Sequence, residues 1–392
     1  MTIGTRQTFL AGSDTEAPAR SAPVSLSFAS VVRIRAAIDR LVPYDGGPGF
    51  EEFARRFGAR GIAMLAGNEY PTSPFPEVLE AIAGAAAGIN RYPDADTVRL
   101  REALAGTLGI PAGCIWTGAG SSENLTTAAR ALGGPGTSFV YPWPSFGMYR
   151  INTVYADAES IEVPLDPDLR TDLEALYKAI RGDTTLVIVC NPNNPTGSYV
   201  SRAEVIDFID RVPESTMVIV DEAYGEFVAA EEESSLIPLA VQRPNVVVAR
   251  TFSKIYGLAG LRVGYMVGQA PTLRSLRKAQ SPFVVGSLGE VAAVTALRFP
   301  ERVRERFELN RQGVDYLEGA LSDRGIRYVP TQANFIWLRL GPGTLGIVQE
   351  LLERGTLIRQ GTEEWTRVSI GTESENRRFV EDLDLVLRQR HS

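Results

Sequence analysis

The sequence predicts an α/β fold with a mostly parallel central sheet, helices on both faces of that sheet, and a smaller α+β domain. Three observations carry this prediction. Short apolar runs rich in β-branched residues alternate with segments of helical periodicity through the middle of the chain. After Gly289, long charged helical stretches replace that alternation. The length of 392 residues also exceeds what one hydrophobic core ordinarily organises, so two domains are expected.

The predicted domains follow these changes in pattern. Residues 1–24 are rich in Ala, Ser, Thr, Gly and Pro and are predicted to form a disordered tail. Residues 25–75 are expected to join the smaller domain as an N-terminal segment. The large domain is predicted to span residues 76–289, and the smaller C-terminal domain residues 290–392.

Apolar spacing and turn residues predict the individual elements in chain order. The predicted helices before Gly289 lie at 30–41, 50–57, 77–87, 98–108, 124–132, 171–180 and 202–211. The predicted strands among them lie at 62–65, 114–116, 137–141, 185–190, 217–220 and 246–249. Beyond Gly289, helical stretches within 290–316 and helices at 345–354 and 375–387 accompany strands at 335–340 and 367–370. Ligands of such sheets bind outside the carboxyl ends of the strands.

The composition excludes several classes of protein. A formal net charge of -7 gives no support to a surface for nucleic acid or anionic membrane. No apolar run approaches the roughly 20 residues of a membrane span, and no signal pattern is expected at the N-terminus. The single histidine, His391, rules out a Ser-His-Asp triad and a histidine-based zinc site, so no metal is expected. Cys114 and Cys190 lack metal-ligand spacing and fit buried thiols, so a cytoplasmic location is expected.

A lysine and an aspartate stand where buried strands end. Lys254 follows the strand predicted at 246–249, and burying an ammonium is costly unless it is paired or modified. A Schiff base with a carbonyl group is one solution, and a lysine that simply reaches solvent is the plainer alternative. Asp221 follows the strand at 217–220, and a buried carboxylate needs a cationic or protonated partner. A protonated pyridine nitrogen is such a partner, and the pairing would make a pyridoxal ring a better electron sink.

Other polar groups near the same sheet edge suit a phosphate. Gly120, Ser121 and Ser122 open a helix, so backbone N–H groups and the positive end of the helix dipole are available there. Ser253 would add a hydroxyl, and Arg262 would add a cation able to bind two oxygens at once.

Three side chains are expected around the ring itself. Tyr224 and Asn194 could both hydrogen-bond its phenolate oxygen, and Phe146 could lie against its face. Each feature also has a plainer explanation. Asn194 could belong to a β-turn, Asp221 could cap a helix, and Arg262 could pair with a surface carboxylate. The position of these residues at strand ends, taken together, favours a cofactor site.

Several strings in the sequence carry a family resemblance. They are Asn68-Glu69-Tyr70-Pro71-Thr72, Asn90-Arg91-Tyr92-Pro93, Gly118-Ala119-Gly120-Ser121-Ser122-Glu123, Phe146-Gly147-Met148-Tyr149, Asn191-Pro192-Asn193-Asn194-Pro195-Thr196-Gly197, Asp221-Glu222-Ala223-Tyr224, Thr251-Phe252-Ser253-Lys254, Leu258-Ala259-Gly260-Leu261-Arg262 and Arg367-Val368-Ser369-Ile370-Gly371-Thr372. Through them the chain resembles the class I/II, fold-type I PLP-dependent aminotransferases, most closely the histidinol-phosphate aminotransferase group. The resemblance covers nearly everything after Ile34. It implies the PLP-dependent transferase fold type I, with pyridoxal 5'-phosphate as cofactor.

The resemblance also implies roles for individual residues. The implied catalytic residues are Lys254, which would form the Schiff base, Asp221, which would pair with the ring nitrogen, and Tyr224. The implied cofactor-binding residues are Gly120, Ser121, Ser122, Phe146, Asn194, Asp221, Tyr224, Thr251, Ser253, Lys254, Arg262 and Tyr92. Tyr92 would reach the cofactor phosphate of the other subunit in a homodimer with a shared site. The implied substrate-binding residues are Arg367, which would grip the α-carboxylate, Tyr44, Asn68, Arg359 and Asn194.

The chain departs from the closest group at two places. Phe146 stands where that group usually has tyrosine, and the stretch 45–60 near the expected substrate mouth looks longer. The implied reaction is a ping-pong transfer of an amino group to a 2-oxo acid. Histidinol phosphate with 2-oxoglutarate is the first expected pair, and an aromatic or specialised-pathway amino acid is the second candidate donor. A PLP-dependent decarboxylase or oxidase, or a non-catalytic regulator built on the same fold, would also be compatible with these residues.

Overall fold

The computed structural model describes residues 34–42, 49–58, 61–229 and 234–391, which form two sheets with separate hydrophobic cores. The tail predicted over 1–24 and the site residue Tyr44 lie outside these residues. Among the described residues, no helix has both the length and the apolar character of a membrane span. Nor does this part of the chain contain a group of three or more His, Cys, Asp or Glu side chains that could hold a metal ion.

The larger sheet has seven strands in the order β2-β8-β7-β6-β5-β3-β4. Their bounds are β2 Ile115–Gly118, β3 Ser138–Trp143, β4 Glu159–Pro164, β5 Thr184–Cys190, β6 Met217–Asp221, β7 Val246–Thr251 and β8 Gly264–Val267. The pairs from β4 through β3, β5 and β6 to β7 are all parallel. Only β8 runs against the other strands of this described sheet, pairing antiparallel with both β7 and β2. The prediction of a mostly parallel sheet is therefore confirmed.

Helices cover both faces of this sheet. On one face lie α2 Pro76–Ala85, α3 Val98–Leu108, α6 Leu173–Ala179, α7 Arg202–Arg211, α8 Ile237–Ala240 and α10 Ser287–Ala296. On the other lie α4 Ser121–Leu132, α5 Met148–Tyr155 and α9 Ala270–Leu276. This two-sided burial explains the continuous apolar runs of the central strands, because neither face meets water.

The two-residue period of β6 decides where its last side chain points. Val218 and Val220 pack into the core on the α7 side, whereas Met217 and Ile219 pack on the α4–α5 side. Side chains alternate along a strand. Asp221 therefore shares the face of Met217 and Ile219, and its carboxylate is directed toward α5.

The smaller sheet has five strands in the order β1-β11-β12-β10-β9. Their bounds are β1 Ala63–Leu65, β9 Tyr328–Val329, β10 Phe335–Arg339, β11 Thr356–Gln360 and β12 Trp365–Ser369. Helices α11 Pro300–Asp323, α12 Thr344–Glu353 and α13 Glu373–His391 contribute to its core, and α1 Phe50–Phe57 packs against β1 and β11. Strand β1 pairs in parallel with β11, so part of the segment 25–75 belongs to this sheet. The boundary at 289/290 falls within α10 and stays a prediction.

Several elements differ from their predictions. The helix predicted at 30–41 is wrong in its described part, where residues 34–42 contain only a 3-10 turn at Ile38–Arg40. Among its described apolar positions, Ile34 is 65% exposed and Ala37, Ile38 and Leu41 are only half-buried, so no fully buried face forms there. The helix predicted at 124–132 begins earlier, at Ser121. Strands β4, β8, β9 and β11 were not predicted, because each is short or contains polar residues that interrupt an apolar run.

Candidate active site

The carboxyl ends of β2, β3, β5, β6 and β7 meet at one edge of the larger sheet. Gly120 follows β2, Phe146 follows β3, Asn194 follows β5, Asp221 ends β6 and Lys254 follows β7. Residues far apart in sequence are thus brought together because parallel strands carry their loops to the same edge.

Asp221 is buried beneath this edge, with 2% of its surface exposed. Tyr149 donates its hydroxyl hydrogen to Oδ2 at 2.8 Å, and the backbone N–H of Ala223 donates to Oδ1 at 3.2 Å. Burial raises the pKa of the carboxyl to about 6, and the Tyr149 hydrogen bond partly offsets that rise. Asp221 forms no ion pair with any described residue. It is therefore a buried anion that a protonated ring nitrogen would complete.

The amine of Lys254 lies on the other side of the same space. Its Nζ donates to the carbonyl oxygen of Gly67 at 3.3 Å and lies 5.6 Å from the ring centroid of Tyr224. Desolvation lowers its pKa from 10.5 to about 8, and the nearby Arg367 cation contributes to that lowering. With this pKa about one amine in ten is neutral at pH 7, compared with fewer than about one in a thousand at the ordinary pKa of 10.5. A neutral amine can bond to an aldehyde or accept a proton.

Tyr224 is held with its hydroxyl facing the site. Asn68 donates Nδ2–H to the Tyr224 hydroxyl oxygen at 3.0 Å, so the phenol hydrogen is available for another acceptor. Asn68 is itself fixed by Ser369, which accepts from its backbone N–H and donates to its Oδ1, both at 2.9 Å. Burial raises the pKa of Tyr224, so the phenol stays protonated. Its ring packs edge-on against Phe335 at 4.9 Å.

A cradle of hydroxyl, guanidinium and backbone groups lies beside Lys254. Arg262 donates from Nη1 to Ser253 Oγ at 3.3 Å and to the Ala259 carbonyl at 3.0 Å. Thr251 donates its hydroxyl hydrogen to Ser253 Oγ at 3.0 Å, so Thr251 orients Ser253. Gly120 has a φ of +79°, a backbone conformation that favours glycine, and a Cβ there would lie 2.7 Å from Arg262 Nη2.

The first turn of α4 closes this cradle. Ser121 and Ser122 begin the helix, and Gly120 contributes no side-chain cap. Their backbone N–H groups donate to no other residue in the described part of the chain. A Cβ at Gly264 would collide with the Ser121 nitrogen, so β8 approaches the turn closely. Open N–H groups at a helix N-terminus beside an arginine fit a phosphate.

The smaller sheet contributes Arg367 on β12. Its Nη1 donates to Asn194 Oδ1 at 2.6 Å, and its Nη2 donates to the Ala66 carbonyl at 2.6 Å. Arg359 on β11 stands directly opposite Arg367 in the antiparallel register, so both arginines project from one face. The predicted substrate residues Arg367, Arg359, Asn68 and Asn194 therefore lie together at the junction of the two sheets.

Tyr92 stands apart from this group. Its ring is 84% exposed and stacks on the ring of Phe283 with centroids 4.8 Å apart. The half-buried ring of Phe146 packs edge-on against the ring of Tyr149, with centroids 5.7 Å apart. Tyr149 in turn hydrogen-bonds Asp221, so Phe146 lies one residue away from the buried carboxylate.

Tyr149 was missed as a functional residue by the sequence predictions. The sequence indicates only that some hydrogen-bond donor must contact Asp221, because a buried carboxylate needs one. The sequence does not show which hydroxyl is the donor, because α5 was not predicted and the packing of α5 on β6 decides it.

Comparison with known protein families shows to which family this chain belongs. The family model described as "Aminotransferase class I and II" matches residues 60–383. The chain belongs to this family. A curated histidinol-phosphate aminotransferase of Akkermansia muciniphila is 41% identical over 353 residues, covering 88% of this chain and 96% of the relative. An aromatic amino acid aminotransferase of Thermobifida fusca is 40% identical over 348 residues, covering 88% and 95% respectively.

Solved structures agree with this family assignment. The crystal structure of histidinol-phosphate aminotransferase from Sinorhizobium meliloti in complex with pyridoxal-5'-phosphate has a TM-score of 0.84 and 29% identity. That match covers 93% of this chain and all of the other. The protein is thus a fold-type I, PLP-dependent aminotransferase that transfers an amino group between an amino acid and a 2-oxo acid. Its cofactor, pyridoxal 5'-phosphate, supplies an electron sink for the carbanion at the substrate's Cα.

Proposed function

We propose that this aminotransferase takes its amino group from histidinol phosphate and passes it to 2-oxoglutarate. Histidinol phosphate carries a phosphate ester where an α-amino acid carries its carboxylate. The proposal is supported mainly by the paired arginines Arg359 and Arg367, which stand opposite each other at the substrate end of the site. Two guanidinium groups suit a doubly charged phosphate better than a singly charged carboxylate. Relatives named for this activity, at about 40% identity, support the same substrate.

The proposed roles of the chain's own groups follow from their positions. Lys254 carries the amine that attaches the cofactor and then moves a proton at the substrate's Cα, for which its lowered pKa is suited. Asp221 stabilises positive charge at the ring nitrogen. Tyr224 and Asn194 face the ring oxygen. Gly120, Ser121, Ser122, Thr251, Ser253 and Arg262 form the phosphate cradle. Phe146 covers the ring face.

Asn194 links substrate binding to the cofactor end of the site. Its Oδ1 accepts from Arg367, so its amide nitrogen is directed elsewhere, toward the ring oxygen in this proposal. When a substrate anion engages Arg367, the bond to Asn194 must adjust. We therefore expect occupancy of the anion site to alter the hydrogen bonding around the ring oxygen.

The substrate proposal is tested with a panel of amino donors at a fixed concentration of 2-oxoglutarate, with glutamate formation as the readout. Histidinol phosphate should give a kcat/KM at least about 100-fold above that of histidinol, because the phosphate contacts are lost in histidinol. Phenylalanine and tyrosine complete the panel. If an aromatic amino acid is preferred, the substrate is wrong while amino transfer stands. The names of the matched relatives favour amino transfer over decarboxylation or oxidation.

Arg367→Lys tests the proposed role of Arg367 in binding the phosphate of histidinol phosphate. Lysine keeps the charge but loses the two-pronged geometry, so KM for histidinol phosphate should rise by roughly 10- to 100-fold with a smaller change in kcat. Arg339→Lys on the neighbouring strand is the control, since Arg339 pairs with Glu364 near the surface. An unchanged KM in Arg367→Lys would contradict the assigned role.

We also infer that the enzyme works as a homodimer in which Tyr92 reaches the partner's cofactor phosphate. A pair of exposed aromatic rings supports this inference. Tyr92 and Phe283 are both exposed and stack on each other with ring centroids 4.8 Å apart. Exposed aromatic side chains are enriched at protein interfaces.

Subunit mixing tests the shared site. Lys254→Ala and Tyr92→Ala should each be impaired alone, and mixing them under exchange conditions should restore activity. The mixed dimer contains one site with both an intact Lys254 and an intact Tyr92 from opposite chains. No recovery, with light scattering showing that mixed dimers form, would show that Tyr92 acts within its own chain or not at all.

The free thiols Cys114 and Cys190 support a cytoplasmic location, which we also propose and which cell fractionation would check.

A further inference from the structure

Arg306 on α11 is a buried arginine that forms no ion pair with any described residue. Its side chain is enclosed by two aromatic rings, with Cζ lying 4.3 Å from the ring centroid of Tyr70 and 4.2 Å from that of Phe75. Burial lowers its pKa to about 10, so the guanidinium remains charged near neutral pH. A buried cation without a carboxylate is costly to maintain, so the groups that it does bind indicate its role.

The guanidinium of Arg306 bridges two loops through their carbonyl oxygens. Nη1 donates to the Ile255 carbonyl at 2.8 Å, and Nη2 donates to the Ser73 carbonyl at 2.6 Å. Ile255 directly follows Lys254. A Cβ at Gly257 would lie 2.8 Å from Nη1, and Gly257 has a φ of +69°. The Lys254 loop therefore fits closely around this one side chain.

The loop 67–73, which contains Ser73, also contacts the Lys254 loop inside the active site. The Lys254 amine donates to the Gly67 carbonyl at 3.3 Å, and Asn68 donates to the Tyr224 hydroxyl at 3.0 Å. Ser73 lies a few residues further along this loop. Arg306 thus joins the two loops at a second point, separate from the bond between Lys254 and Gly67.

We propose that Arg306 is a positioning residue for amino transfer, which keeps the loop of Lys254 and the loop 67–73 in the relative position that brings the Lys254 amine to the substrate's Cα. This inference rests on the role proposed above for Lys254. Arginine suits the task because its planar fork donates in two directions while its faces stack on rings. The compact ammonium of lysine cannot do both.

The test uses the holoenzyme with Arg306→Ala and Arg306→Lys, at a temperature below the melting point of each variant. We expect kcat to fall by roughly 10- to 100-fold with little change in KM, because a misplacement of about 1 Å can cost that much. The pH midpoint of the cofactor's visible absorbance should also shift, since it reports the bond to Lys254. Arg304→Ala, exposed on the same helix, is the matched control and should behave as wild type.

Chemical rescue separates positioning from a purely structural role. Millimolar guanidinium chloride should restore part of the kcat of Arg306→Ala by entering the space between the two rings, and sodium chloride at the same concentration should not. A wild-type kcat and pH midpoint in both variants overturns the proposal, even if they melt earlier. A loss that guanidinium leaves unchanged overturns it as well. Activity retained by Lys254→Ala would instead refute the role of Lys254, independently of Arg306.

Discussion

Lys254→Ala is expected to lower the rate of amino transfer by at least about 10,000-fold, because it removes the group that attaches the cofactor and the base that moves the proton at Cα. The amine is suited to both tasks by its desolvated position, which lowers its pKa to about 8. The rate is measured in single turnovers with the amino donor in excess over enzyme. Borohydride reduction followed by peptide mass mapping should locate the cofactor on Lys254 in the native enzyme and on no peptide of the variant.

Two comparisons make this result specific. Lys178→Ala, at an exposed lysine on α6 that pairs with Glu174, should retain full activity and labelling. Added methylamine should restore a small part of the activity of Lys254→Ala, since a free amine can serve as the proton carrier. Retention of more than about one hundredth of the native rate by Lys254→Ala would contradict the assignment, because loss of a general base alone costs about that much.

Asp221→Asn is expected to lower kcat by about 100- to 1,000-fold, the usual effect of removing one preorganised electrostatic partner from an active site. The substitution keeps the shape of the side chain and removes the buried negative charge. In the native protein stripped of cofactor, the carboxyl has a pKa of about 6. Cofactor uptake should therefore weaken as the pH falls through about 6, because protonation neutralises the anion. This loss of cofactor uptake at low pH should be absent in Asp221→Asn.

Tyr149→Phe refines the same prediction. The Tyr149 hydrogen bond favours the ionised form of Asp221, so its loss should raise the pKa of the carboxyl. A hydrogen bond to a charged group contributes about 1.5–3 kcal/mol, so the pH at which cofactor uptake is lost should rise by about one to two units. Tyr141→Phe is the control, because Tyr141 is buried on the same face of the sheet but its hydroxyl bonds Ser160 and Glu162. If Tyr149→Phe loses cofactor uptake at the same pH as the native protein, Tyr149 does not set the charge of Asp221.

The parts of the fold that could be predicted are those whose local pattern and tertiary environment agree. Strand β6 is apolar on both faces because helices cover both faces, so its sequence alone indicates a central strand. Strand β4 could not be found in this way. It pairs only with β3 at the sheet's edge, and of its six residues only Val163 is buried, so no two-residue period is visible. The helix predicted at 30–41 was wrong in its described part, residues 34–41, because apolar spacing does not form a helix where the apolar side chains are at most half-buried.

The sequence by itself determined the family and the chemical types at the sheet edge. Lys254, Asp221 and the Gly120-Ser121 turn each stand at the end of a recognisable strand, and position along a strand is a local property. Only the tertiary structure decided which groups support them. Tyr149 reaches Asp221 from α5, Arg367 reaches Asn194 from the smaller sheet, and Arg306 reaches the carbonyl of Ile255 from α11. Each of these contacts joins residues more than 50 positions apart. Such distances between side chains depend on how helices and sheets pack, and no local pattern of residues encodes that packing.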